Sequence, residues 1–197
     1  LIGLGKLKEA ELSLRKAIAI KPNFAGSHLN LGNLLKDLGK LEEAELSLRK
    51  AIALKPDYAK AYYNLGVLFK DLSKLQEAEL SLRRTIQLNP NYVEAHSNLG
   101  ALFKDLGKFE EAELSLRKAI ELNPAFAEAH YNLAILLIVL GRLQEAELSL
   151  SKAIELNPAF AMAYNALSLL KYSDDNQKWQ NKLFSQYILK NKLPEEK

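Results

Sequence analysis

Three histidines are the residues of this 197-residue chain whose chemistry suits metal binding or proton transfer: His28, His96 and His130. His96 and His130 are 34 residues apart, and His28 precedes His96 by two such intervals, so all three occupy one position of a repeating unit. Side chains in separate repeats cannot meet at the ~2 Å ligand distances of a metal site. We therefore interpret the histidines as packing residues and expect no metal site.

The paired carboxylates Glu42 and Glu43 recur in register as Glu110 and Glu111, two repeats later. A pair that recurs in register, on a segment of alternating charge, is typical of a solvated helix face rather than of a general acid and base. The chain contains no cysteine, so it has neither a thiolate nucleophile nor a disulfide framework. Its glycines form no phosphate-binding loop. We expect a protein that is not an enzyme and that needs no cofactor.

A 34-residue period in proline organises the chain: Pro22, Pro56, Pro90, Pro124 and Pro158. The unit at 93–126 predicts two helices, over about 94–106 and 109–122, from apolar residues spaced three and four apart. Gly107 ends the first helix and Asn123 before Pro124 ends the second. A fixed period of this length is typical of a repeat architecture.

Within each unit the order is a bulky residue, Leu-Gly, an apolar residue, then small, large, small and proline. The copy at 93–126 reads His96, Leu99-Gly100, Phe103, Ala112, Leu116, Ala119 and Pro124. This pattern resembles the tetratricopeptide repeat. The departures are no tryptophan at the bulky position, Ala134 for glycine, Thr85 for alanine and Ser73 for the stop glycine.

The resemblance implies an all-α fold, a right-handed superhelical solenoid of antiparallel helix pairs. It divides the chain into the second-helix half of a truncated repeat at 1–24 and four full repeats at 25–58, 59–92, 93–126 and 127–160. Residues 161–197 would then hold the first helix of a fifth repeat, at 162–172, with a capping helix and a tail. Because the chain begins in mid-repeat, we expect a fragment of a longer bacterial protein, able to self-associate through its open N-terminal end.

Charge and hydropathy exclude several classes of partner. The chain carries 27 basic and 24 acidic residues, a net charge of +3, and most of these charges alternate along second helices. A nucleic-acid site needs clustered lysine and arginine, which is not this pattern. No apolar run reaches the ~20 residues of a membrane span. We expect a cytoplasmic protein that binds neither nucleic acid nor membrane.

In the tetratricopeptide family the face of each first helix opposite its core residues, here called the inner stripe, lines a concave groove that binds extended peptides. By resemblance we place the groove at Asn30, Asn33, Lys36, Tyr63, Asn64, Lys70, Asn98, Lys104, Tyr131, Asn132, Ile135 and Ile138. Four of these form an asparagine ladder, one per repeat: Asn30, Asn64, Asn98 and Asn132. An amide can pair with both polar groups of a peptide unit. The alternative is that these asparagines only pack helices.

Other features of the stripe leave alternatives open. Positions that would hold the cations of a carboxylate clamp carry Leu29, Tyr63 and Ser97, which argues against binding acidic chaperone tails. The stripe becomes apolar towards its end, at Ile138-Val139, Met162, Leu169 and Tyr172, as a partner site or as a surface covered by the C-terminal helix. The second helices repeat a leucine at Leu12, Leu46, Leu80, Leu114 and Leu148. These leucines form either a convex contact surface or a packing contact with the next second helix.

The sequence therefore predicts a scaffold that binds proteins or extended peptides in the concave groove. One alternative is a recognition arm of a larger enzyme, such as a glycosyltransferase or sulfotransferase with N-terminal repeats. Another is a purely structural oligomer.

Overall fold

The computed structural model describes residues 2–170, with side chains from residue 6. That part of the chain is entirely helical between its turns. The helices are α1 Ile2–Ile20, α2 Ala25–Asp37, α3 Leu41–Leu54, α4 Ala59–Asp71, α5 Leu75–Leu88, α6 Val93–Asp105, α7 Phe109–Leu122, α8 Ala127–Val139, α9 Leu143–Leu156 and α10 Ala161–Leu169. The predicted all-α class is confirmed. The predicted capping helix, the tail and Tyr172 lie outside the described residues.

Even-numbered helices are the first helices of repeats and odd-numbered helices are the second. The helices predicted over 94–106 and 109–122 are α6 and α7, which the structure places within one residue of those bounds. The first helices α2, α4, α6 and α8 are each followed by a left-handed residue at which the chain reverses. Gly107 has φ 72° and Ser73 has φ 57°. At Ser73 the N–H bonds Lys70 O at 3.0 Å and the next N–H, of Lys74, bonds Phe69 O at 2.8 Å, the paired hydrogen bonds of a Schellman motif.

Small residues facing large ones hold each helix pair together. Ala112, Leu116 and Ala119 on α7 are fully buried. At Gly100 on α6, an added Cβ would lie 2.5 Å from Leu116 Cγ, far inside van der Waals contact. The fourth repeat accommodates Ala134 at the equivalent place, where it is fully buried. The glycines thus let two helix backbones approach closely.

The described residues divide into two compact units, one up to residue 98 and the other from residue 99 onwards. In the first, α1 packs on α2, α2 on α3, α3 on α4 and α4 on α5. In the second, α7 packs on α8, α8 on α9 and α9 on α10. Within each unit these helices thus pack on their neighbours in sequence, which is the nearest-neighbour pattern of a repeat protein.

The half-repeat at the N-terminus is one long second helix, α1. Its residues Leu7, Leu14 and Ile18 are half-buried, whereas Ile20 is 79% exposed. The packing of α1 on α2 explains the partial burial. Contact of this end with another copy remains a prediction.

Ion pairs join the second helices of neighbouring repeats. In each ion pair, a basic residue just before one second helix contacts a glutamate on the second helix of the preceding repeat. The pairs are Lys40–Glu11 at 2.8 Å, Lys74–Glu45 at 3.1 Å and Arg142–Glu113 at 2.8 Å. An arginine one turn along the same helix also pairs with each carboxylate. Partial burial raises the pKa of Glu45 and Glu113, but hydrogen bonds from the two cations outweigh it and the pKa of both is lowered.

Replacing Ser73 by glycine should stabilise the protein by about 0.5–1 kcal/mol. A left-handed residue with a side chain is strained by about 1–2 kcal/mol, and glycine removes this strain. Glycine also raises the conformational entropy of the unfolded chain, which offsets part of the stabilisation. Urea unfolding measures the change. Gly39→Ala is the matched control, since nothing lies within 4 Å of an added Cβ and φ is 73°. It should destabilise by a similar amount. A loss of stability in Ser73→Gly would contradict the strain.

Acid should weaken the ion pairs between repeats. Because the folded-state pKa of Glu45 and Glu113 lies below the ordinary 4.5, the pairs stabilise fully above that pH and are lost as pH falls through the lowered pKa. We expect the melting temperature, followed by circular dichroism, to fall by several degrees between about pH 5 and about pH 3. A Glu45→Gln/Glu113→Gln variant should lose less over that range. If the melting temperature of the variant falls equally, groups other than Glu45 and Glu113 cause the acid sensitivity.

Candidate functional site

The three histidines hold turns between repeats. The Nε2–H of His28 donates to Pro22 O at 2.7 Å, and His96 and His130 make the same bond to Pro90 and Pro124 at 2.9 Å. A carbonyl oxygen only accepts, so Nε2 carries the proton in this arrangement. The side chain expected to fill a packing slot thus also fixes the prolyl turn six residues upstream. Among the described residues, no group of three or more side chains could hold a metal ion.

The inner stripe of the first unit brings two predicted asparagines together. Asn64 on α4 donates its Nδ2–H to Asn33 Oδ1 on α2 at 2.6 Å, and both side chains are half-buried. Asn30, one turn before Asn33, is exposed. The amides of successive first helices are therefore linked, which orients the Asn64 side chain along the stripe.

A second contact joins the next pair of repeats. The two rings of Tyr63 and Tyr92 stack with centroids 4.9 Å apart and planes at 28°. Asn98 Nδ2–H donates to Tyr63 Oη at 3.0 Å and to Glu94 O at 3.0 Å. Burial, the charge of Glu94 and the neighbouring Tyr63 raise the pKa of Tyr92 to about 12. Burial and Glu94 also raise the pKa of Tyr63. Both phenols thus stay neutral at ordinary pH and can donate hydrogen bonds.

The predicted lysines sit at the ends of the first helices. Lys36 Nζ lies 3.6 Å from Asp71 Oδ2 in the next repeat, and Lys104 Nζ lies 3.0 Å from Asp105 Oδ1. Lys70 is half-buried near the end of α4. The ends of these helices therefore carry balanced charge rather than a cationic clamp.

In the second unit the stripe is aromatic and apolar. The rings of Tyr131 and Phe160 lie 5.0 Å apart at 47°. Ile135 and Ile138 are half-buried, as is Asn132, which takes part in a further contact. The neighbouring apolar side chains Val139, Met162 and Leu169 are 55–72% exposed.

Some sequence interpretations of the stripe need correction. Leu29 and Ser97 are 2% and 3% exposed, so they face the core and cannot line a groove. The helix phase explains this, because both residues fall among the buried positions of their helices. The sequence reasoning also missed Tyr92 and Phe160, the ring partners of Tyr63 and Tyr131. The available signal was an aromatic residue just before each first helix: Phe24, Tyr58, Tyr92, Phe126 and Phe160.

The stripes combine amides, neutral phenols and apolar side chains. Amides and phenols can satisfy peptide N–H and C=O groups, while stacked rings and isoleucines offer apolar contact. Within the described part of the chain, no helix is both long enough and apolar enough to cross a membrane.

Solved structures share this fold. MamA is 29% identical over 81% of this chain and 94% of its own, with a TM-score of 0.69. YrrB, a tetratricopeptide-repeat protein with an unusual peptide-binding site, is 24% identical over 90% of this chain and 92% of its own, with a TM-score of 0.65. The pilF protein of Pseudomonas aeruginosa is 21% identical over 96% of this chain and 86% of its own, with a TM-score of 0.80. No curated protein sequence matches the chain.

Family models agree with these structural likenesses. The model of the TPR repeat matches residues 2–39 and 32–73, and models of the tetratricopeptide repeat match residues 59–92 and 97–161. Since these matches leave few residues of the described helices uncovered, the chain belongs to the tetratricopeptide-repeat family and is a protein-interaction scaffold.

Proposed function

We propose that the chain binds an extended segment of a partner protein along the inner stripes of its first helices and that it is not itself catalytic. The observation that carries the proposal is the linked set of side chains in the first unit, where Asn64 bonds Asn33 and Asn98 bonds Tyr63. These contacts hold polar groups of successive repeats in fixed positions on one surface. Such preorganisation lowers the entropy cost of binding.

The asparagine ladder fits a peptide backbone. Neighbouring packed helices are roughly 10 Å apart, and an extended chain rises ~3.3 Å per residue. One rung therefore meets about every third residue of a bound strand. In Asn64 and Asn98 the Nδ2–H groups bond within the protein, so we assign the amide oxygen the task of accepting from a peptide N–H.

The aromatic pairs would supply selectivity. Beside Tyr63 and Tyr92 stands Glu94, whose charge acts on both phenols. A carboxylate next to neutral rings favours a lysine or arginine side chain. In the second unit the Tyr131 and Phe160 pair has apolar Ile135 nearby in α8, which favours an apolar side chain. We thus expect segments bound at the first unit to contain a lysine or arginine and segments bound at the second unit to contain an apolar residue.

We also infer a cytoplasmic site of action, because the chain contains no cysteine and so needs no oxidising compartment. Its nearly balanced charge supports a protein partner rather than a nucleic acid.

Loss of ladder amides should weaken all groove ligands by a similar factor. Peptides are first selected from a displayed random library on the intact chain. Replacing Asn64 and Asn98 together by alanine should raise the Kd of the selected peptides roughly 5- to 150-fold, since each side-chain hydrogen bond contributes about 0.5–1.5 kcal/mol. Fluorescence anisotropy measures the Kd.

Those two amides also bond within the protein, so the double variant should lose some stability. Asn30→Ala is the control, because the exposed Asn30 can be removed without touching the core. It should weaken binding while leaving the urea midpoint unchanged. Unchanged affinity in both variants would show that the asparagines only pack helices.

The ring pair of the first unit should select cationic side chains. Glu94→Gln should weaken selected peptides that contain lysine or arginine by about tenfold and leave neutral peptides unaffected, because a paired charge is lost. Glu128→Gln, also exposed in the first turn of the next first helix, is the matched control. If both variants weaken all peptides equally, the carboxylate acts through the net charge of the chain and not at the Tyr63–Tyr92 pair.

A further inference from the structure

The outer surface of the second helices exposes one leucine per repeat: Leu12, Leu46, Leu80, Leu114 and Leu148. Their exposed fractions are 57–72%. Packing against the next second helix, one of the two interpretations of this pattern, would have buried them and is therefore wrong. Scattered exposed leucines are ordinary, but a leucine at the same position of successive repeats, three in the first unit and two in the second, forms a periodic surface within each unit. We call these five residues the leucine row.

Opposite charges flank the leucine row at matched distances. Three residues before each leucine is a glutamate: Glu9, Glu43, Glu77, Glu111 and Glu145. Three residues after the first four leucines is an arginine: Arg15, Arg49, Arg83 and Arg117. On α3 and α7 the order extends to four residues on either side, with Glu42 and Lys50, and with Glu110 and Lys118. Residues three and four apart share a helix face, so a second helix presents acid, leucine and base along one stripe.

Contacts within the chain account for only part of this order. Arg49 and Arg117 pair with Glu45 and Glu113, one turn earlier on the same helix and mostly covered. Those carboxylates lie beside the stripe rather than in it. Other charges of the stripe also have partners within the chain. Glu43 pairs with Arg15, Glu145 pairs with Arg142 and lies 3.9 Å from Arg117, and Lys118 pairs with Glu121. The acid-to-base order around each leucine is therefore not needed to form the intrahelical pairs.

A recess of about 250 Å³ opens beside Leu80 in the first unit. Tyr62, Leu65 and Phe69 line it together with Arg49, Glu77 and Ser81. Sites for small molecules usually start at about 300 Å³. A mainly apolar recess below that size fits an inserted side chain, such as an exposed leucine.

We propose that the leucine row is a self-association surface on which a second copy of the chain docks with its second helices antiparallel. A two-fold contact brings the same patch of both copies together. When two such stripes pair antiparallel, leucine contacts leucine, and the acidic end of each helix lies against the basic end of the helix in the other copy. Leucines of one copy also reach the recess of the other.

The charge order favours a second copy over other occupants. A stripe that reads acid, leucine, base is complementary to itself when reversed. A membrane surface carries one sign of charge and would leave the glutamates repelled. An unrelated protein has no physical reason to match the same reversed order at several repeats.

Charge exchange tests the proposal on the full chain. One variant carries Glu42→Lys and Glu110→Lys, and the other carries Lys50→Glu and Lys118→Glu. In each variant the two positions four residues before and after the leucine, which face each other in the antiparallel contact, then carry the same charge. Each variant alone should therefore be monomeric in sedimentation velocity at concentrations where the original chain dimerises. An equimolar mixture should restore the dimer, because unlike faces now meet. If either variant alone dimerises with the same Kd as the original chain, the antiparallel contact is wrong.

Leucine replacement gives the second arm. Leu46→Gln with Leu114→Gln should raise the dimer Kd about tenfold or more, since each copy loses apolar burial. The groove variant Asn30→Ala should dimerise normally, and circular dichroism checks that all variants fold. An original chain that stays monomeric up to about 100 µM overturns the proposal, as does a leucine variant that dimerises unchanged. The first result indicates that a foreign partner or residues 171–197 cover the row, and the second that association uses another surface.

Discussion

The close approach of the two helices within each repeat is the contact on which the rest of the structure depends. Gly32, Gly66 and Gly100 each leave space that a leucine of the paired second helix fills, with an added Cβ lying 2.5–2.9 Å from that leucine. Truncating a buried leucine of this kind typically costs 2–5 kcal/mol. Because a repeat packs chiefly on its neighbours, this contact recurs along the chain instead of forming one central core.

A fixed helix pair also decides which side chains can act. Once glycine and leucine set the phase of a first helix, Leu29 and Ser97 turn inwards, while Asn64 and Tyr63 remain on the open stripe. Cross-repeat contacts then lock these groups, as Asn98 does with Tyr63. On the outer face of the described second helices the leucines are exposed and are flanked by ion pairs such as Arg15–Glu43, which suits this face to a different kind of contact. The two faces are therefore proposed to serve different partners.

The helix pairs could be predicted from sequence because their causes are local and repeat every 34 residues. The glycine that ends the first helix, the proline after the second helix and the order of small and large residues predicted the bounds of α6 and α7 to within one residue. The sequence did not reveal the Tyr63–Tyr92 stack or the Asn64–Asn33 bond, because they depend on the offset between neighbouring repeats. Periodicity fixes which positions are equivalent but not that offset. The histidine bond to the prolyl carbonyl was missed because a ring suited to packing was not considered as a donor.

Side-chain amide resonances in NMR test peptide binding on the inner stripe most directly. On addition of a library-selected peptide, the NH₂ resonances of Asn30, Asn64 and Asn98 should shift. Those of Asn89 and Asn123 should not, because their Oδ1 atoms accept from N–H groups of turns between repeats, at 3.1 and 3.0 Å. Shifts confined to the second helices, with the three ladder amides unmoved, would contradict the account.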